Sequence, residues 1–374
     1  MLITYCQSKH DIQIAKESGL SQVILDVKNL SRFSNNSLED FHELASFATG
    51  IGLDVALEWD ILMTENKMMK AVDFFKTLNL DNIIAIRVQD IGALEYVYKY
   101  TNKPIHLIAE GKNHNLVALQ RYEKYLGERL ERIILSLELT RDKLKAYKEA
   151  LNTEVEFLIL GRILLFYTPR NLLTPLELEE KKDEIIASGE SEESPHKGFS
   201  LIENMHGTFM FHIKHQYLID NLDEVDFIDH LRVDFRFDSD MTLLREFIKL
   251  KSENKLKDFK SLYPFDTIRG FFKINKSNVL FKKLKNQRTQ RYDHNYVGEV
   301  IDALKPHHLI LHIKDNQLTV GETLNFKNPE GKEVSVVVNN LKLLDGSEVK
   351  TANKDSFVQI KYHSQLWVKS QAYK

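Results

Sequence analysis

Short apolar runs alternate with amphipathic segments along most of the chain, up to about residue 252. The first apolar run is Leu2 to Tyr5, and similar runs of strand length recur at intervals. Between the runs, apolar residues recur at helical spacing, as in residues 38–47 and 67–78. Continuous apolar strands that are separated by helices predict a parallel sheet whose two faces are both buried.

We predict eight strands in this part of the chain, at residues 2–5, 22–27, 53–59, 83–88, 104–109, 132–137, 155–160 and 230–235. Strict alternation of strand and helix over this length is typical of an α/β fold of the (β/α)8, TIM-like barrel type. A doubly wound open sheet is the alternative. However, no GxGxxG turn follows the first strand, which weakens a dinucleotide-binding interpretation.

Two segments break the alternation and predict the domain organisation. Residues 172–228 contain a highly charged stretch, and we predict that they insert a hairpin region over the barrel mouth. The basic segment 273–292 predicts a linker or helix. From residue 293 onwards, short strands with turns predict a small C-terminal all-β domain, a partly closed barrel. The barrel with its insertion is therefore expected over residues 1–272 and the β domain over 293–374.

Composition narrows the class of protein further. A chain of 374 residues exceeds the usual size of a single-core domain, which favours two domains. Lys and Arg number 51 against 54 Asp and Glu, so the net charge of −3 gives no global attraction for nucleic acid. The single cysteine, Cys6, excludes an internal disulfide and a cysteine-based metal site. Without a signal peptide or a long apolar run, we expect no membrane association and a cytoplasmic location.

Polar residues follow the predicted strands, where the carboxyl ends of a barrel's strands meet. We expect these side chains to share one cavity, with Gly161 opening a loop that carries two of the arginines. Among these side chains, arginines can bind an anionic ligand and carboxylates can act as an acid or a base. The alternative is a structural network of salt bridges. The candidates are Glu138, Arg162, Arg170 and Arg236 as catalytic residues, and Glu58, Arg87, Glu110, Asn113 and Arg269 as substrate-binding residues.

Histidines and the lone cysteine are weaker candidates. His206, His212 and His215 form an H-x5-H-x2-H pattern, but the alternation of side chains along a strand separates the last two, so we predict no metal site. Cys6 ends the first strand and is expected to face the mouth. Because an activating cation is missing nearby, we expect an inert buried thiol rather than a nucleophile.

A basic strip in the predicted linker is the candidate nucleic-acid surface. Its cations are interleaved with Phe281 and Tyr292, an arrangement that can follow a phosphate backbone. A solvated helix face beside the linker is the alternative. The candidate residues are Lys282, Lys283, Lys285 and Arg288.

A set of short motifs occurs in a fixed order along the chain. The motifs are 136–139 (SLEL), 156–161 (EFLILG), 206–208 (HGT), 231–233 (LRV), 269–271 (RGF) and 296–300 (YVGEV). In this order the motifs resemble peptidase family U32, the collagenase-like proteins, over residues 20–374. The resemblance implies the same barrel. It also implies one of the activities associated with members of this family: peptidase activity, RNA base hydroxylation or hydroxylation in quinone synthesis. No GxSxG, HExxH or Ser-His-Asp pattern supports an ordinary peptidase mechanism.

The resemblance also implies an iron–sulfur cluster, which four cysteines hold at the barrel mouth in the hydroxylating members. Here Asn171 stands at the place of the first cysteine, and residues 172–228 contain no cysteine. We therefore expect no cofactor, and a divergent U32 protein that serves as a binding or accessory protein in RNA or cofactor modification. RNA or a paralogous U32 protein is the expected partner. The alternative is a cluster-independent U32-type enzyme, a peptidase, hydrolase or RNA-modifying enzyme, that uses the Glu and Arg cavity.

Overall fold

The computed structural model describes residues 1–111, 115–173, 184–190, 197–237, 240–273 and 294–374. The chain divides into two compact units, residues 1–276 and 277–374. Each unit has its own buried hydrophobic core.

The first unit is built on a closed barrel of eight parallel strands. The first seven strands and their helices are β1 Leu2–Tyr5, α1 Lys9–Glu17, β2 Gln22–Leu25, α2 Leu38–Gly50, β3 Asp54–Trp59, α3 Glu65–Phe75, β4 Ala85–Val88, α4 Ile91–Tyr100, β5 Ile105–Ile108, α5 Leu116–Leu126, β6 Leu130–Ile134, α6 Arg141–Ala150 and β7 Glu154–Gly161. The eighth barrel strand, His230–Val233, pairs in parallel with both β1 and β7. Since the sheet closes, the barrel prediction is confirmed and the open-sheet alternative is wrong.

Five of the helices, α1, α2, α4, α5 and α6, begin at a residue whose side chain caps the first turn. The Ser37 hydroxyl accepts a hydrogen bond from the Asp40 N–H, and the Asp40 carboxylate accepts one from the Ser37 N–H. This reciprocal cap satisfies two backbone donors that the first turn of α2 leaves without helical partners. The outward faces of the strands pack against the helices, with Trp59 and Phe41 both fully buried in that layer. The strands therefore bury both faces, as a parallel barrel requires.

An antiparallel sheet is inserted between β7 and the eighth barrel strand. Its strands are β8 Leu164–Thr168, β9 Ile185–Glu190, β10 Lys197–Asn204 and β11 Gly207–Phe211, in the order β8-β11-β10-β9. Strands β9 and β10 form the antiparallel pair that the sequence predicted. The loop predicted after Gly161 is wrong, because residues 164–168 form an edge strand paired with β11. Short strand β12, His215–Tyr217, then pairs antiparallel with β7.

The eighth barrel strand is β13, and the first unit ends in short elements after it. These are α7 Thr242–Ser252, α8 Phe259–Leu262 and β14 Thr267–Ile268. The second unit is all-β in its described residues. Its strands are β15 Tyr296–Leu304, β16 His308–Ile313, β17 Leu318–Thr319, β18 Thr323–Lys327, β19 Glu333–Val337, β20 Leu341–Leu343, β21 Glu348–Val349, β22 Thr351–Ala352, β23 Phe357–Lys361 and β24 Gln371–Tyr373.

Candidate functional site

Three arginines converge on one buried carboxylate inside the barrel. Glu156, on β7, accepts two hydrogen bonds from Arg87, at 2.7 and 2.9 Å. It also accepts one from Arg232 at 2.9 Å and a longer one from Arg132 at 3.5 Å. Burial alone would raise the pKa of Glu156, but the three guanidinium groups outweigh it and hold that pKa well below its ordinary range. Glu156 is therefore an ionised carboxylate at the centre of the network.

Arg87 joins this centre to a second carboxylate, Glu58 on β3. The Arg87 Nε donates to Glu58 at 2.5 Å, and the Tyr5 hydroxyl donates to the other Glu58 oxygen at 2.7 Å. Burial raises the pKa of Glu58, with Arg87 acting against it, and burial together with Glu58 raises the pKa of the Tyr5 phenol. Tyr5 is therefore a neutral donor at neutral pH.

The next layer, towards the carboxyl ends of the strands, holds Arg236. Its guanidinium donates to both Asp234 oxygens, at 3.1 and 2.8 Å, and reaches Asp26 at 3.4 Å. The same guanidinium lies over the Tyr5 ring, with its carbon 3.3 Å from the ring centre. Beside it, Arg232 also donates to Glu110. These pairings fix the orientation of both guanidinium groups before any ligand arrives.

A cavity of about 200 Å³ opens beside this layer at the barrel mouth. It combines charged side chains with aromatic faces. The charged residues in its lining are Arg32, Glu110, Glu138, Arg162, Arg232, Asp234 and Arg236, and the aromatic ones are Tyr5, Phe33, Phe166, Tyr167, Phe211, Phe237 and Phe271.

Glycine at position 161 allows two strand ends of the mouth to meet. Gly161 has φ of +144°, and an added Cβ would lie 3.0 Å from the Asp234 Cβ and 3.1 Å from its carbonyl oxygen. The Asp234 N–H donates to Leu160 across the same gap at 2.9 Å. As a result, Arg162 follows β7 directly into the cavity, where its guanidinium carbon lies 5.3 Å from the ring centres of Phe211 and Phe237.

Hydrogen bonds tie the inserted sheet to the loops that follow the barrel strands. The Tyr167 hydroxyl accepts from the Leu62 N–H at 2.8 Å, and the Asn204 amide donates to the Arg32 carbonyl at 2.8 Å. The Nε2 of His206 lies 2.7 Å from the Lys28 carbonyl oxygen, which can only accept, so this nitrogen carries the proton. Burial lowers the pKa of His206, which keeps the ring neutral.

Four of the predicted mouth residues line the cavity together: Glu110, Glu138, Arg162 and Arg236. Glu58 and Arg87 are in contact with each other and are fully buried in the network inside the barrel. They do not appear in the lining of the cavity. Glu58 contacts the lining residue Tyr5, and Arg87 contacts Glu156.

The other predicted residues lie elsewhere. Arg170 and Arg269 are exposed, and neither lines the mouth cavity. Asn113 lies outside the described residues. So does the predicted nucleic-acid surface, formed by Lys282, Lys283, Lys285 and Arg288.

The residues at the centre of the network were not among the predicted candidates. Glu156, Arg132 and Arg232 lie within strands rather than after them, and all three are almost fully buried. Their signal is a charged residue inside an apolar strand, as in the segments EVEFLIL and HLRV. On a strand, such a residue alternates with outward-facing apolar ones and therefore points into the barrel.

The three candidate histidines have separate partners. His206 bonds to the Lys28 carbonyl, His212 bonds to the Lys214 backbone, and His215 lies 2.7 Å from the Tyr263 hydroxyl. Across the described parts of the chain, no three His, Cys, Asp or Glu side chains come together as a metal site.

The residues present do not fit an iron–sulfur cluster. Cys6 packs in the core between the barrel and its helices rather than facing the mouth, and burial raises the pKa of its thiol. Asn171 is exposed. The next two residues, Leu172 and Leu173, donate their N–H groups to the carboxylate of Glu203. Soft clusters need several thiolates, and this site offers an amide and backbone groups held by a carboxylate.

The fold and the cavity define a class: a TIM-barrel protein with a cavity lined by charged and aromatic side chains at the carboxyl ends of its strands. The chain belongs to peptidase family U32, whose family model matches residues 7–244. It is similar to tRNA hydroxylation protein P1 of Bacillus subtilis (strain 168), with 26% identity over 145 residues. The match covers 38% of this chain and 34% of that protein, so the chain spans about a third of the length of this curated relative.

Solved structures give two further similarities. The C-terminal domain of a Geobacillus thermoleovorans U32 peptidase matches 21% of this chain and 98% of that domain, at 20% identity and a TM-score of 0.20. A dihydrodipicolinate synthase family protein from Coccidioides immitis matches 70% of this chain and 74% of its own, at 8% identity and a TM-score of 0.40. In the described part of the chain, no helix is long and apolar enough to cross a membrane.

Proposed function

We propose that this protein binds RNA through the barrel-mouth cavity and serves, without an iron–sulfur cluster, as a binding or accessory protein in RNA modification. One observation carries the proposal: the cavity sets the guanidinium groups of Arg162 and Arg236 against the faces of Tyr5, Phe211 and Phe237. The similarity to a tRNA hydroxylation protein supports RNA as the ligand class. We place this activity in the cytoplasm, with a paralogous U32 protein as a further partner.

The chemistry of the cavity suits one unpaired nucleotide. Aromatic faces stack on bases, and each such contact is worth about 1–3 kcal/mol. Guanidinium groups stack on bases as well and bind phosphate oxygens through two parallel hydrogen bonds. Glu110 and Glu138 supply carboxylate oxygens that accept hydrogen bonds from base N–H groups. A volume of about 200 Å³ suits a single base rather than a duplex.

Binding of a labelled single-stranded RNA, followed by fluorescence anisotropy, tests the proposal. Arg162→Ala should weaken binding about tenfold, which corresponds to about 1.4 kcal/mol. Arg170→Ala is the matched control, since Arg170 is an exposed arginine that does not line the cavity, and its affinity should stay within twofold of wild type. Equal affinities of both variants and wild type, or no RNA binding at all, would refute the proposal.

A cluster-independent enzyme is the second candidate function, because Glu138 lines the same cavity as the arginines. A carboxylate in that position can act as a general acid or base. Incubation with total tRNA or with peptides, followed by mass spectrometry, tests this function. A product that disappears in Glu138→Gln while RNA binding persists would establish it, and the absence of any product leaves the binding role.

A further inference from the structure

A second cavity, of about 440 Å³, lies between the inserted sheet and the loop that follows β2. Its volume lies within the range of about 300–1,000 Å³ that is typical of small-molecule sites. Side chains from both segments line it, among them Lys28, Asn35, Ile186, Ser200 and Asn204. None of these residues lines the barrel-mouth cavity.

The two cavities have one wall in common. Arg32, Phe33, Arg162, Arg236 and Phe237 line both of them. The Phe33 and Phe237 rings pack edge to face, with centres 4.7 Å apart. The same side chains therefore border both cavities, and three arginines belong to both. A ligand that occupies both cavities would meet guanidinium groups where the cavities adjoin.

The second cavity offers the groups that a nucleotide needs. Lys28 is exposed and carries a charge suited to a phosphate, Asn35 is an exposed amide, and Ile186 presents an apolar surface that is 70% exposed. The wall behind them is rigid, because Asn204 and His206 hydrogen-bond to backbone carbonyls of the loop after β2. Fixed polar groups beside an apolar face are typical of ligand sites.

We propose that this second cavity is a nucleotide subsite, which holds the neighbour of the nucleotide in the barrel mouth. The phosphate that joins the two nucleotides lies at the common wall, against Arg162, and Lys28 contacts the outer phosphate. The protein thus recognises two consecutive unpaired nucleotides rather than one. This inference rests on the proposed RNA-binding function and adds a second position to it.

Isothermal titration with the four nucleoside monophosphates and the four matching 5′-phosphorylated homodinucleotides tests the inference. In the wild type, at least one dinucleotide should bind about tenfold or more tightly than its mononucleotide, a gain of about 1.4 kcal/mol. Ser200→Trp, which fills the second cavity, should abolish this gain and leave mononucleotide affinity unchanged. Lys28→Ala, at an exposed position, should reduce the gain severalfold. Lys145→Ala, an exposed lysine on α6, is the matched control and should change nothing.

Each outcome bears on a different proposal. If neither mononucleotides nor dinucleotides bind, the proposed RNA-binding function fails. If mononucleotides bind and dinucleotides bind no more tightly, the second subsite is refuted while the barrel-mouth site stands. The subsite is also refuted if the gain survives in both Ser200→Trp and Lys28→Ala. Circular dichroism of each variant shows whether its fold is intact.

Discussion

Glu156→Gln is the substitution that tests the charged interior of the barrel most directly. The carboxylate of Glu156 is fully buried and accepts hydrogen bonds from Arg87, Arg232 and Arg132. Glutamine keeps the shape of the side chain and removes the charge. Its amide nitrogen would turn a donor towards at least one of the guanidinium groups, which have no acceptor capacity of their own.

The expected loss of stability is large. Removing one partner of a buried ion pair costs about 3–5 kcal/mol, because the other charge stays buried without compensation. Here Arg87 retains Glu58 as a partner at 2.5 Å, and Arg232 retains Glu110, so the lower end of that range applies. We expect a loss of about 3 kcal/mol. At about 2–4 °C per kcal/mol, this loss lowers the melting temperature by roughly 10 °C.

Tryptophan fluorescence can report on the barrel alone. The chain has two tryptophans, of which Trp59 is buried in the barrel core and Trp367 lies in the second unit. In a Trp367→Phe background, urea unfolding followed at Trp59 therefore measures the barrel. Glu154→Gln is the matched control on the same strand. Its side chain is 49% exposed and pairs with His230, so its loss should stay below about 1 kcal/mol.

Acid makes a second test of the same carboxylate. The pKa of Glu156 is lower in the folded protein than in the unfolded chain, where it is about 4.3. The Glu156 charge therefore stabilises the fold fully above about pH 4.3, and this contribution is lost as the pH falls towards the folded pKa. The stability gap between wild type and Glu156→Gln should therefore be constant above about pH 5 and shrink below about pH 4. Equal small losses in Glu156→Gln and Glu154→Gln, or a gap that does not depend on pH, would refute the reasoning.

Three further outcomes follow from the structure. Gly207→Ala should lower the free energy of unfolding by about 2 kcal/mol or more and expose the inserted sheet to proteases, because φ is +125° and a Cβ would overlap the Thr168 carbonyl. Gly50→Ala, which has open space around the added Cβ, should leave stability unchanged. Burial lowers the pKa of His106 to about 4, so the free energy of unfolding should fall as the pH drops from about 6.5 to about 4. In urea titrations at several pH values, His106→Gln should make this dependence on pH weaker. Anaerobically purified protein should contain no stoichiometric iron or sulfide and show no charge-transfer band, since Cys6 is the only thiol.

The barrel could be predicted from the sequence because strand and helix periodicity is a local property. Strand β1 occupies the predicted residues, and helix α2 covers the predicted helical segment 38–47. Strand β8 could not be predicted in the same way. Its residues 164–168 are apolar, but they pair with β11, about 40 residues further along the chain. A strand whose partner lies so far away is recognised only once the pairing is known.

The cavity was partly predictable, since polar residues after barrel strands converge by the geometry of the fold. Glu110, Glu138, Arg162 and Arg236 followed this rule and line the cavity. Arg170 did not, because it lies two residues after strand β8, which leads away from the barrel into the inserted sheet. Sequence spacing alone carries no information on which segments leave the barrel.

The buried network also connects stability to the proposed ligand site. Burying several ions is costly, and apolar side chains of similar volume would often be as stable or more stable. The network does something that apolar packing cannot: Glu156 holds one arm of Arg232, whose other arm reaches Glu110 at the cavity. Glu156→Gln should therefore weaken RNA binding severalfold even at a temperature where the variant is fully folded, and Glu154→Gln should not. Unchanged binding in folded Glu156→Gln would mean that the network supports the barrel alone and leaves the mouth arginines to their own partners.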